Sequence, residues 1–396
     1  MKDSKGNPWT AAGFLALGAL AAVLSGLRFA SMRTAEPIYP GPALTRQGSL
    51  SDYYPALAGT PGDTEVYVFE GRERGGHVLV TGGSHPNEPA GFVSAVLLVE
   101  NLRVVKGTII VIPRANASGF TCTDPQEANP QRFVVETGGG PREFRLGSRL
   151  TNPVHQWPDP TLYENPAGQM LSASEVRNLN RCYPGRPNGT LTEKIAYGIM
   201  ELIRRERIDL GIDLHESAPE YPVINAIVFH DASAELAALA QMSLQSEGLD
   251  FRLEESPANL RGLSHREWGD AAGIKAVLIE TPNPVQGRLK GKTTAALVVE
   301  GQDKAYLKAS RLGRLFIPYD EKGVPLSERV ARHLAGVAAV LQSLAELEPE
   351  KAVETEGLPA WRQIMEKGVG AFLRTGPSAL PSSGATVLDP KGRRQT

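Results

Sequence analysis

Apolar residues recur along the chain in short runs, and the spacing within each run predicts its element. Residues 65–69, Glu-Val-Tyr-Val-Phe, alternate as a strand does, and residues 77–81 and 108–112 are continuous apolar strands. Between the latter two, a helix is expected from Pro89 to about Leu102, with proline suitably placed in its first turn. A second helix is expected over 192–205, strands over 208–214 and 225–229, a helix over about 232–246, and a core strand over 275–279. After Pro284 the pattern predicts short strands, a Gly/Lys/Arg loop over 287–292, and a helix over 326–347. Alternating helices and apolar strands of this kind predict an α/β domain whose sheet is covered on both faces.

The irregular stretches divide the chain. Lys2 and Lys5 precede an apolar run from Ala11 to Leu27, which Arg28 and Arg33 follow. Its length suits a signal core or a short membrane helix. Arg28 stands at the −3 place before Ala30, so no small-x-small cleavage site follows, and residues 1–35 read as an uncleaved signal anchor. The folded domain is then expected outside the cytoplasm, on the periplasmic side if the source is bacterial. Residues 36–63, rich in Pro, Gly, Ser and Tyr, read as a linker, 64–348 as the main folded domain, and 349–396 as an extension with a disordered tail from about Gly370. Within the domain, residues 118–178 show weak periodicity, which in so long a segment points to function or disorder.

The balance of charge narrows the partners. With a net charge of −2 and no basic stripe, nucleic acid is not an expected partner. The two cysteines, Cys122 and Cys182, sit in no CxxC or Cys/His cluster, which excludes a thiolate zinc site; they could pair if the chain is exported.

Four polar clusters fall at the ends of predicted strands, where α/β sheets place their sites. In Gly82-Gly-Ser-His85-Pro-Asn-Glu88, the spacing lets an imidazole and a carboxylate converge on one cation; the alternative is a helix N-terminal acid beside a surface histidine. Asp213 and His215 share one side of a strand by the period of two, and His215 is either a third ligand or a satisfied strand-end histidine. Asn180-Arg181 suits a carboxylate, since Arg binds one bidentately, or else stabilises its loop. Glu280 ends an apolar strand, as a general base or as the cap of the Thr281 turn.

Taken together and in this order, the clusters resemble the zinc carboxypeptidase superfamily, specifically its succinylglutamate desuccinylase/aspartoacylase-like branch, over roughly residues 64 to 345. The resemblance implies a three-layer sandwich with a mixed, mostly parallel sheet flanked by helices. It implies one Zn2+ held by His85, Glu88 and His215, a substrate carboxylate held by Asn180 and Arg181, and Glu280 as general base. The chain departs from the family at Asn178, where an Asp usually orients the first zinc histidine; Asp213 is another acid that could support the site.

The implied activity is hydrolysis of an amide or related acyl bond in a small carboxylate-bearing acyl-amino-acid or peptide substrate, with water activated at zinc. Arg145, Arg149 and Arg177 are candidates for a second carboxylate contact or an oxyanion donor, and residues 263–268 for a substrate wall. No tyrosine lies between 231 and 280, where carboxypeptidases proper often carry one that closes on the substrate; this favours acylated amino acids or muropeptides over peptide trimming. The competing readings are a metallocarboxypeptidase, an esterase, and a membrane-anchored binding protein without catalysis.

Overall fold

The computed structural model describes residues 7–124 and 130–376. Four parallel strands form the centre of its sheet, in the order Arg103–Ile112, Glu73–Thr81, Leu210–Ser217, Lys275–Pro282. Glu65–Glu70 pairs antiparallel outside the first and is flanked in turn by Arg46–Ser49. Ala226–Phe229 pairs antiparallel outside the last, with Arg252–Glu255 beside it. Glu354–Glu356 also pairs with Arg103–Ile112, and the nine strands make one mixed α/β sheet.

Alternate residues of the central strands feed two separate cores, as period-two geometry requires. Val78, Val80, Ile212 and Ile279 pack with the Pro89–Asn101 and Leu326–Leu347 helices on one face. Leu79, Ile110 and Ala276 pack with the Leu191–Arg205 helix and Trp268 on the other. The result is the expected three-layer sandwich. Pro89–Asn101 lies very close to the sheet because residue 91 is glycine; a Cβ there would stand 2.4 Å from the Leu214 carbonyl oxygen.

Three expectations are corrected. Residues 36–63 are part of the fold rather than a linker: Arg46–Ser49 is a sheet strand, and Leu50 and Leu57 are fully buried. The region after Pro284 forms helices, Ala295–Glu300 and Lys304–Arg311, with no strand among the described residues before Glu354. Thr294 and Asp303 supply the N-caps, and Gly301 closes the first helix at φ 71°. The start of the tail expected to be disordered from about Gly370 is structured, with Gly370 and Leu373 buried next to the Trp361–Lys367 helix; the rest of that tail, beyond residue 376, lies outside the described residues. The 118–178 segment contains two hairpins, Arg132–Thr137 with Gly140–Arg145 and Leu162–Glu164 with Met170–Ser172. Both cysteines are free, and Cys182 is buried beside the Tyr163 hydroxyl at 3.3 Å.

Candidate metal centre

The C-terminal ends of the parallel strands bring the four clusters to one place. His85 leaves the Glu73–Thr81 strand through a turn at Gly83, whose φ of 65° and tight contact with the Pro113 carbonyl oxygen at 2.8 Å from an added Cβ suit glycine alone. Glu88 immediately precedes the Pro89–Asn101 helix. His215 and Glu280 are register partners on adjacent parallel strands, which sets them side by side. All six residues expected at the site, His85, Glu88, Asn180, Arg181, His215 and Glu280, line one cavity of about 620 Å³.

At its floor the two imidazoles meet one carboxylate. His85 Nδ1 lies 2.8 Å from Glu88 Oε1, and His215 Nδ1 lies 3.0 Å from Glu88 Oε2. One ligand atom from each of the three residues falls within 4.8 Å of the others, and all three are buried. Each histidine is held from behind through its other nitrogen. His85 Nε2 is 2.9 Å from Asn178 Oδ1, and His215 Nε2 is 2.8 Å from Asp213 Oδ2. Asn178 therefore occupies the orienting place expected for an acid. Its amide nitrogen donates to Glu175 Oε2 at 2.7 Å, so the negative charge sits one residue further back. Asp213 supports His215 rather than His85. It also accepts from the hydroxyls of Thr81 at 2.6 Å, Ser84 at 3.0 Å and Ser264 at 2.6 Å.

The electrostatics follow from burial and these contacts. Burial opposes the charge of Asp213, but His215 and the hydroxyl donors outweigh it and hold the carboxyl down at about 2. Burial likewise opposes the charge of Glu88, and the two histidines hold it well below the usual carboxylate range. Burial and the nearby Arg149 lower His85 to about 4. His215 goes the other way: burial is overcome by Asp213 and Glu88, which push it well above 6.5. Burial first, then the neighbouring Glu88, raises Glu280 to about 8, and its buried Oε2 has no hydrogen-bond partner.

Arg149 is the one of the three candidate arginines that reaches the centre. Its Nη1 lies 3.1 Å from Glu88 Oε1 and 3.2 Å from His85 Nδ1, so the donor set already draws a cationic group. Arg145 instead pairs with Glu36 at 2.6 Å, and Arg177 with Asp159 at 2.8 Å. Asn180 Oδ1 accepts from the Ser264 amide at 2.7 Å, which ties the Asn-Arg pair to Asp213 through one serine. Arg181 faces the cavity, and burial lowers its pKa.

Two cavity residues carried no separate signal in the sequence. His265 is 3% exposed, lies within the stretch read as a substrate wall, and has no hydrogen-bond partner at either ring nitrogen. Gln286 donates to Glu88 Oε1 at 3.0 Å from the loop after Pro282. The 231–280 interval has no tyrosine, yet Tyr221 reaches the cavity rim from outside it.

No family model matches the chain. A curated relative, the N-alpha-acetyl-L-2,4-diaminobutyric acid deacetylase of Halomonas elongata, is 27% identical over 174 residues, 42% of this chain. The match spans only 37% of that relative's length. Similar solved structures include a succinylglutamate desuccinylase/aspartoacylase from Rhodobacter sphaeroides, with 17% identity and a TM-score of 0.38 over 72% of this chain and 58% of that one. They also include a metallo-carboxypeptidase from Burkholderia cenocepacia, with 11% identity and a TM-score of 0.43 over 75% and 68%. The apo cell shape determinant protein of Helicobacter pylori is similar at 13% identity and a TM-score of 0.43 over 71% and 54%.

Proposed function

We propose that this chain is a zinc-dependent hydrolase of the succinylglutamate desuccinylase/aspartoacylase-like branch, cleaving an amide or related acyl bond in a carboxylate-bearing substrate. The observation that carries the reading is the convergence of His85, Glu88 and His215 at the floor of a cavity that also holds the unpartnered Glu280 carboxylate oxygen. The stretch similar to a deacetylase supports it.

Two imidazole nitrogens and one carboxylate, each histidine braced by a further acceptor, form a donor set that zinc takes with a position left open. When bound there, the ion would supply an acidified water and polarise the scissile carbonyl. Glu280 takes the proton of the attacking water and returns it to the leaving nitrogen. Burial favours the protonated carboxyl, which suits it to keep that proton between the two transfers, while the charge of a cation bound beside it would favour the carboxylate from which the reaction starts. Arg181, with Asn180, holds a substrate carboxylate and sets the bond in place. Arg149, already beside Glu88, is the side-chain cation placed to help stabilise the carbonyl oxygen as negative charge develops on it. His265 offers a buried donor or acceptor to the group beyond the scissile bond.

The Pro8–Ser31 helix is read as a membrane anchor: it is apolar (mean hydropathy 1.9 in its most apolar window) and none of it is buried. The catalytic domain then lies outside the cytoplasm. The test is a screen of the zinc-loaded protein against N-acyl amino acids, their esters and short peptides. Turnover of an acylated amino acid that Glu280→Gln abolishes supports the reading. Binding of such ligands with no turnover of any class would favour a non-catalytic binding protein.

A further inference from the structure

The loop around residues 152–159 takes no part in this chemistry, yet it is firmly held. Gln156, buried, donates to the Val176 carbonyl oxygen at 2.9 Å and accepts from the Thr192 amide at 2.9 Å and hydroxyl at 2.7 Å. His155 Nδ1 lies 2.8 Å from the Ser118 hydroxyl, and Arg177 grips Asp159 through two contacts, at 2.8 and 2.9 Å. Beside these anchors Val154 and Trp157 point outward, each 76% exposed. Among the described residues beyond the N-terminal helix, no large apolar side chain is more exposed. A loop pinned this often does not expose a tryptophan through slackness, and leaving it in water forgoes the gain of burying it.

The loop lies at the foot of the apolar helix. His155 and Arg33 line one cavity, and Arg33 follows the helix end at Ser31 by two residues. The Arg33 charge adds to burial in lowering the His155 pKa. The junction between helix and domain is rigid as well. Met32 is fully buried, its carbonyl oxygen accepts from Arg145 Nη1 at 3.0 Å, and the Ser31 carbonyl oxygen accepts from Arg132 Nη2 at 2.5 Å. Glu36, also buried, accepts from Arg145 Nε at 2.6 Å. Whatever surrounds the helix therefore meets this loop in a fixed relation.

We propose that Val154 and Trp157 insert into the surface of the lipid bilayer that holds the helix, so that the domain touches the membrane at a second point. The proposal rests on the anchor reading above. Lipid is the occupant because none of the helix is buried against protein, Arg28 and Arg33 suit anionic headgroups, and tryptophan is the side chain most at home at a membrane–water interface.

The test uses the full-length protein in phosphatidylcholine/phosphatidylglycerol vesicles, with and without bromine on the acyl chains. Flotation with the vesicles tests the anchor alone. The tryptophan emission of wild type minus that of Trp157→Phe then isolates residue 157, and phenylalanine at so exposed a position leaves the fold intact. The expected difference emission is shifted to shorter wavelength and quenched by brominated lipid. In protein that floats, an unquenched emission at the wavelength of water-exposed tryptophan overturns the proposal and leaves the anchor standing. A shifted but unquenched emission means that protein covers the loop, and overturns it too. Failure to float overturns the anchor reading and the proposal with it.

Discussion

Glu280 and Arg181 share one cavity wall, but their proposed roles separate in kinetics. Glu280→Gln keeps size and hydrogen bonding and removes the base, so kcat is expected to fall about 100-fold or more with metal retained. Arg181→Ala is expected to raise KM for carboxylate-bearing substrates and to matter far less for an analogue without that group. Equal damage to both substrates would make Arg181 structural. His215 gives a second prediction. Asp213 and Glu88 hold a proton on it above the usual imidazole range despite burial, and a protonated ring cannot ligate a cation. Below that raised pKa, metal affinity should therefore fall by about tenfold for each unit of pH lost, one proton being displaced. Chelator competition from about pH 8 down to about pH 6 measures it, and a flat profile would contradict it. At this scale the sequence was informative where polar residues interrupt apolar strands, as at His85, His215 and Glu280. It could not single out Arg149 from the candidates Arg145 and Arg177, nor His265 from the stretch 263–268, because their neighbours in sequence say nothing of a cavity assembled from distant loops.

The elements that position these residues are the central strands and the helices packed on them. Those were legible because continuous apolar runs and 3.6-residue periodicity leave few alternatives. The edges were not. Arg46–Ser49 and Glu354–Glu356 have no apolar pattern, and they join the sheet by backbone pairing and polar side-chain contacts such as Arg103 with Glu356 at 3.1 Å. Ala295–Val299 is too short an apolar run for periodicity to choose between helix and strand, and the caps at Thr294 and Gly301 decide it. A close approach in the site's scaffold is Gly91 against Leu214, one residue before His215. Gly91→Ala should force the helix carrying Glu88 away from that strand, costing about 1–3 kcal/mol and weakening metal retention. An unchanged denaturant midpoint would show that the helix shifts freely and that the close approach is incidental.

At the scale of the whole molecule, the folded region reaches beyond the boundaries suggested by composition. Met32 is fully buried and Glu36 is clamped between Arg114 and Arg145, so the domain begins where the apolar helix ends. A chain starting at Ser31 is expected to be soluble, folded and active. One starting at Glu36 loses the buried Met32 and should be less stable by on the order of 2–5 kcal/mol. Equal denaturant midpoints for the two would contradict this placement of the boundary. The central claim concerns what the fold assembles from two distant stretches of chain: a single divalent metal centre. Its most direct test is zinc content per chain in the wild type, His85→Ala, His215→Ala and Glu280→Gln proteins, each purified in the same way and shown to be folded. The account predicts about one ion in the wild type and in Glu280→Gln, and strongly reduced content in both histidine variants. Wild-type protein that takes up no divalent metal, or histidine variants that retain it undiminished, would contradict it.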